Sequence, residues 1–179
     1  MKKLIIVSLF LLTAVGFSQD KILTKNGKIT FEASVPAFEE VKAKNEGVTC
    51  VVNTKTGEIA SLALMKGFRF KVALMEEHFN ENYVESDKYP KSTFKGKIDN
   101  FDYAKLTTQG GTYTIKGKLE LHGKSKDITI TATIKKTSDG LTLVSNFTIN
   151  TDDYGIDIPS VVSKKVNKKV AVHLDFTLK

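Results

Sequence analysis

The segment 78-HFNENYVESDKYPKSTFKGKI-98 holds the densest set of groups able to do chemistry, with Asn80, Glu81, Glu85 and Asp87 following His78 and Glu77 just before it. A histidine beside acids is the raw material of general acid–base catalysis, provided that both groups reach the same reacting proton. No serine, cysteine or second histidine stands at a companion spacing. The residues therefore read as a helix surface or a pocket rim, with an enzyme using His78 and a nearby acid as the alternative. His122 and His173 fall on the polar parity of their strands, and three histidines so scattered make no zinc pattern. Glu85, Asp87, Asp152, Asp153 and Asp157 lack the D-x-D-x-D-G ladder of a calcium loop, and turn chemistry accounts for them. No metal and no cofactor is expected. The run 164-KKVNKK-169 suits either a solvated strand entry or contact with a phosphate or an anionic membrane surface.

The elements that must position these groups are strands. In 28-KITFEASV-35, Ile29, Phe31, Ala33 and Val35 share one face and Lys28, Thr30, Glu32 and Ser34 the other, as a half-buried strand requires. The same alternation runs through Tyr113 to Leu121, Ile128 to Ile134, Leu141 to Ile149 and Val170 to Leu178. It predicts eight or nine strands near 28–35, 47–54, 58–65, 67–74, 93–103, 112–122, 127–136, 141–150 and 169–178. Short polar links such as 53-NTKTG-57, Gly110-Gly111 and Ser138-Asp139-Gly140 join antiparallel neighbours, because a parallel crossover needs a dozen or more residues. So many strands must hide their edges, and Gly67, Gly96 and Gly117 within strand patterns favour closure into a barrel over a sandwich. The alternation breaks at 75-MEEHFNENY-83, where Met75, Phe79 and Tyr83 follow helical spacing and Pro90 blocks continuation. A short helix is expected there, with those three side chains over the barrel interior and Glu76, Glu77, Asn80 and Glu81 in water.

Composition narrows the classes. The first eighteen residues, MKKLIIVSLFLLTAVGFS, pair two lysines with a short apolar run and small residues, the pattern of a secretory signal peptide cleaved before Gln19. With no cysteine at that cut, no lipid anchor is expected, and the mature chain is expected in the periplasm or secreted. Loss of Lys2 and Lys3 lowers the formal charge from +7 to +5. The remaining lysines are scattered singly, which argues against nucleic acid. About 160 residues remain (19–179), enough for one domain with a real core. Cys50, the single cysteine, excludes an intramolecular disulfide and alternates with Val48 and Val52 as a small buried hydrophobe.

The order of parts and the motifs resemble the YceI family of secreted bacterial lipid-binding proteins. The carriers are Ser86, Tyr89, Pro90, Thr93 and Phe94 in an S-x-x-YP-x-x-TF pattern, and Gly117, Leu119 and Gly123 in a later G-x-L-x-x-x-G hairpin. The resemblance spans essentially the whole mature chain, and departs from the family where His122-Gly123-Lys124 replaces a common hairpin arginine. It implies an all-β fold, an eight-stranded antiparallel lipocalin-like β-barrel with a short helical lid segment. It also implies a polyisoprenoid-binding function, with a polyprenyl phosphate or an isoprenoid quinone held inside. Such a chain offers no hydrogen bonds along its length, so its site needs a continuous apolar lining. The expected ligand-binding residues are Phe31, Phe68, Phe70, Val72, Phe79, Tyr83, Phe94, Ile98, Leu119 and Leu121. A carrier or storage protein with transient membrane-surface contact follows. A secreted structural or stress-response barrel with a filled core is the rival, and the oligomeric state is open, a homodimer included.

Overall fold

The computed structural model describes residues 20–179, so the expected signal peptide at 1–18 and its cleavage site lie outside the described residues. Period-two alternation of β-branched and aromatic side chains builds nine strands: β1 (Lys21–Ser34), β2 (Lys42–Asn53), β3 (Glu58–Leu64), β4 (Arg69–Phe70), β5 (Lys91–Ile98), β6 (Gly111–Leu121), β7 (Lys124–Lys136), β8 (Leu141–Asn150) and β9 (Val166–Leu178). All pairings are antiparallel, in the order β1-β9-β8-β7-β6-β5-β3-β2, and β2 pairs back onto β1. Eight strands therefore close into a barrel, and only the short β4 keeps an unpaired edge. β4 is only two residues long and continues the line of β3 beside the first half of β2.

The strand expected over 67–74 is thus a correction. After β3 the chain makes a 3-10 turn at Met65–Gly67, touches β2 through β4, and enters helix α1 (Ala73–His78). Asn45 accounts for the break. Its buried side chain donates to the Leu64 carbonyl at 2.9 Å and accepts from the Gly47 amide at 2.9 Å, satisfying groups that the interrupted ladder leaves over. A side chain at Gly67 would start 2.6 Å from that same Asn45 amide nitrogen. The helix expected from Met75 does form. It starts two residues earlier and continues through Phe79–Tyr83 as a π turn, a geometry frequent at functional sites.

Because every strand reverses the last, the connections sort to two ends. Segments 35–41, 65–90, 122–123 and 151–165 all emerge at one end, the lid end; segments 54–57, 99–110 and 137–140 emerge at the other. The second end is filled by its own side chains. Val52, Ile98, Ile134, Leu141 and Leu178 are buried there, with Leu106 packed among them.

Candidate functional site

At the lid end the barrel is hollow. A cavity of about 380 Å³ runs from the lid down to Ile59, Ile115, Ile130, Leu143 and Phe176, within the range of small-molecule sites. Its walls are the inward parities of β1, β3 and β5–β9, and its roof is made by Met75, Phe79 and Tyr83 of the lid. Its charged members, Glu39 and Lys165, are both exposed and stand at the rim with His78. Ser92, one of the few polar wall residues, is occupied by donating to the Glu120 carbonyl at 2.8 Å. An interior so lined can bury methyl and methylene groups and has no charge with which to hold a polar solute.

Four aromatic rings join the lid to the wall. Phe79 of the π turn lies 5.4 Å from Phe31 of β1, 5.8 Å from Phe68 and 5.1 Å from Phe70, and Phe31 lies 5.3 and 5.7 Å from the latter two. Tilted and edge-on contacts of this kind add about 0.5–1.5 kcal/mol per pair beyond area burial. On the opposite wall Phe94 is fixed by glycine. Gly96 of β5 faces Gly117 of β6 in register, and a Cβ on either would start 2.4 Å from a backbone oxygen and under 3 Å from the Phe94 ring. The ring covers the two bare backbones, the arrangement that rescues glycine within a sheet.

Of the residues expected to line a site, Phe31, Phe68, Phe70, Phe79, Tyr83, Phe94, Leu119 and Leu121 border the cavity. Val72 and Ile98 do not. Val72 belongs to the missing strand and instead precedes α1 as its N-terminal cap residue; Ile98 points inward but at the filled end. Residue reasoning overlooked Ile156, Ile158 and Val162, which the segment after β8 contributes to the cavity. Their signal was the brief alternation in 156-IDI-158, hidden by a stretch otherwise read as a closing loop.

Three polar assignments also change. Glu76 and Asn80 do not simply face water: Glu76 accepts from Arg69 at 2.7 Å and from the Phe70 amide at 3.1 Å, and Asn80 donates to the Glu76 carbonyl at 2.8 Å while its Oδ1 is buried without a partner. His122, placed on a polar parity by its strand, is turned inward by a left-handed backbone (φ 51°), and its side chain is only 11% exposed. Its Nδ1 lies 3.1 Å from the Tyr154 carbonyl oxygen, its Nε2 lies 2.7 Å from Glu85, and Tyr89 packs edge-on at 4.5 Å. Both partners of the ring are acceptors, so a ring protonated on both nitrogens donates to each. The His122 hydrogen bond, assisted by the Lys88 charge, holds the Glu85 carboxyl below its usual range. Burial pushes the Tyr154 phenol up, as does the neighbouring charge of Asp153. Cys50 is fully buried and its thiol is pushed up to about 12, which makes it inert packing, not a nucleophile.

The YceI-like domain model matches residues 14–178. The chain belongs to the YceI-like family. Solved YceI-like neighbours share the barrel at low identity. A polyisoprenoid binding domain from Saccharophagus degradans is 14% identical with a TM-score of 0.77, over 89% of this chain and 97% of that one. BcnA from Burkholderia cenocepacia is 16% identical with a TM-score of 0.69, over 84% and 96%. The YceI protein of Campylobacter jejuni is 18% identical with a TM-score of 0.56, over 80% and 89%. Among curated proteins no relative matches.

Proposed function

We propose that the protein binds one long apolar lipid, an isoprenoid such as a polyprenyl phosphate or an isoprenoid quinone, and carries or stores it in the periplasm or outside the cell. The observation that carries this reading is the cavity at the lid end, whose walls are mostly apolar with a few hydroxyls such as Ser61 and Thr151, and whose charged members stand only at the rim. Burial of each methylene-sized unit contributes about 0.8 kcal/mol, so a chain of several isoprene units offsets the cost of association. The family and the polyisoprenoid binding domain among the structural neighbours support the same ligand class. The hollow favours binding over a barrel filled by its own side chains. The ring of His78, exposed at the rim, has no hydrogen-bond partner among the described residues, so no acid is held against it.

Native mass spectrometry of protein purified from its own host tests the proposal. A co-purifying apolar mass is expected, and it should be absent from Phe70→Asp and Leu119→Asp variants that still fold, since an unpaired carboxylate inside the cavity is costly. A bare polypeptide mass, together with no uptake of added isoprenoid, refutes it.

A further inference from the structure

Among the described residues five large apolar side chains are exposed, and four of them, Phe38, Leu64, Leu74 and Val161, stand at the lid end, with only Leu23 at the other. Val161 is 83% exposed. These tips continue the cavity lining outward: Phe38 itself borders the cavity, Met75 beside Leu74 does so, and Val162 beside Val161 does so. Ser34 and Val166 are register partners, so the segments bearing Phe38 and Val161 leave adjacent strands side by side. An unbroken apolar path therefore leads from the interior to the tips of two neighbouring rim segments.

Charge separates along the same rim. Lys164, Lys165 and Lys169 have no ion-pair partner among the described residues, whereas Lys168 is committed to Asp152 at 2.9 Å. Nearby, Glu40 pairs with Lys42 at 3.8 Å, and Glu39 and Asp157 are the unpaired acids. At the lid helix, by contrast, Arg69 neutralises Glu76, and the unpaired acids Glu77 and, just beyond the helix, Glu81 outnumber the one unpaired cation, Lys71, that precedes it. The basic sector thus coincides with Phe38 and Val161, and the acidic sector with the lid helix.

We infer that this basic sector of the rim docks on an anionic lipid bilayer, with Phe38 and Val161 entering the interface and Lys164, Lys165 and Lys169 meeting the headgroups. An amphipathic rim of this kind binds through apolar insertion and lysine attraction together. The purpose of the docking rests on the reading of the cavity as a lipid site. With the mouth pressed to the bilayer, a water-insoluble chain passes between membrane and barrel without crossing water.

The test is co-sedimentation of the chain, as isolated from its host, with phosphatidylcholine vesicles with and without phosphatidylglycerol. The wild type is compared with a Val161→Ser, Lys164→Gln, Lys169→Gln variant, whose three positions lie outside the cavity lining. Any N-terminal contribution is common to both chains, so the ratio reports the rim. Stronger partition of the wild type onto phosphatidylglycerol vesicles, lost in high salt, is expected. The variant should partition at least about twenty-five-fold more weakly, at roughly fivefold for each of the two lysines lost and more with the loss of Val161. Its uptake of geranylgeraniol delivered from cyclodextrin should match the wild type. Equal wild-type partition onto both vesicle types, or equal partition of variant and wild type, overturns the docking whatever the uptake. Failure of the wild type to take up geranylgeraniol from cyclodextrin counts against the cavity reading instead, and leaves the vesicle result to decide the docking.

Discussion

Glu85 and His122 both hold left-handed backbone, at φ 44° and 51°, a conformation uncommon outside glycine, more tolerated by histidine than by glutamate. They also hold each other, across the gap between the lid segment and the turn from β6 to β7. The contact that repays the strain is thus the one that ties the lid segment to that turn. The His122 hydrogen bond lowers the Glu85 pKa, so its stabilisation is fully present above the ordinary glutamate value and is lost as pH falls through the lowered one. Wild type should therefore melt higher than Glu85→Gln at pH 7, with the difference shrinking below about pH 4. A gap in melting temperature that stays constant from pH 7 to pH 3 would show that the carboxylate contributes nothing. His122→Asn, which tolerates the backbone but loses the ring, should lower the melting temperature by a few degrees, at roughly 2–4 °C per kcal/mol.

At the level of elements, the informative places are the interruptions. Asn45 stands where the strand beside β2 breaks, and its amide replaces ladder bonds that neither β3 nor β4 supplies. Asn45→Ala should cost about 1–3 kcal/mol, because the Leu64 carbonyl is left without its donor. Urea unfolding measures this, and a cost below a few tenths would mean that water takes over the amide's role. The pairing of Gly96 with Gly117 is a second such place. Gly117→Ala puts a methyl 2.4 Å from the Lys95 carbonyl and against the Phe94 ring, so it should destabilise by roughly 1–3 kcal/mol and displace Phe94 into the cavity. The aromatic shift of Phe94 in an NMR spectrum reports the displacement.

For the whole molecule the division is between a packed end and a hollow end. Leu141 has no exposed surface and sits at the filled end, so Leu141→Ala should cost about 2–5 kcal/mol and leave lipid uptake intact. Leu119 borders open space, so Leu119→Ala removes fewer contacts. It should cost less stability than Leu141→Ala and change lipid retention more. Denaturant midpoints and retention assays on the two variants form the check, and a reversed order would place the binding region at the wrong end of the barrel.

Strand identity, inward parity and the helical break were legible in the sequence, because each depends on a period of two or of about four within a few residues. The stripes Ile128 to Ile134, Leu141 to Ile149 and Val170 to Leu178 face inward as their alternation requires. Where along the barrel a side chain sits was not legible, since parity fixes which face and not which end. For that reason Ile98, correctly inward, lies in the plug, and Ile156 and Ile158, in a stretch read as a loop, border the hollow. The pairing of Glu85 with His122 spans 37 residues and needs two unusual backbone angles, neither written in local periodicity. Local chemistry determined the strands; only closure of the sheet decided which residues share a cavity, because closure alone sets the distance between positions far apart in the chain.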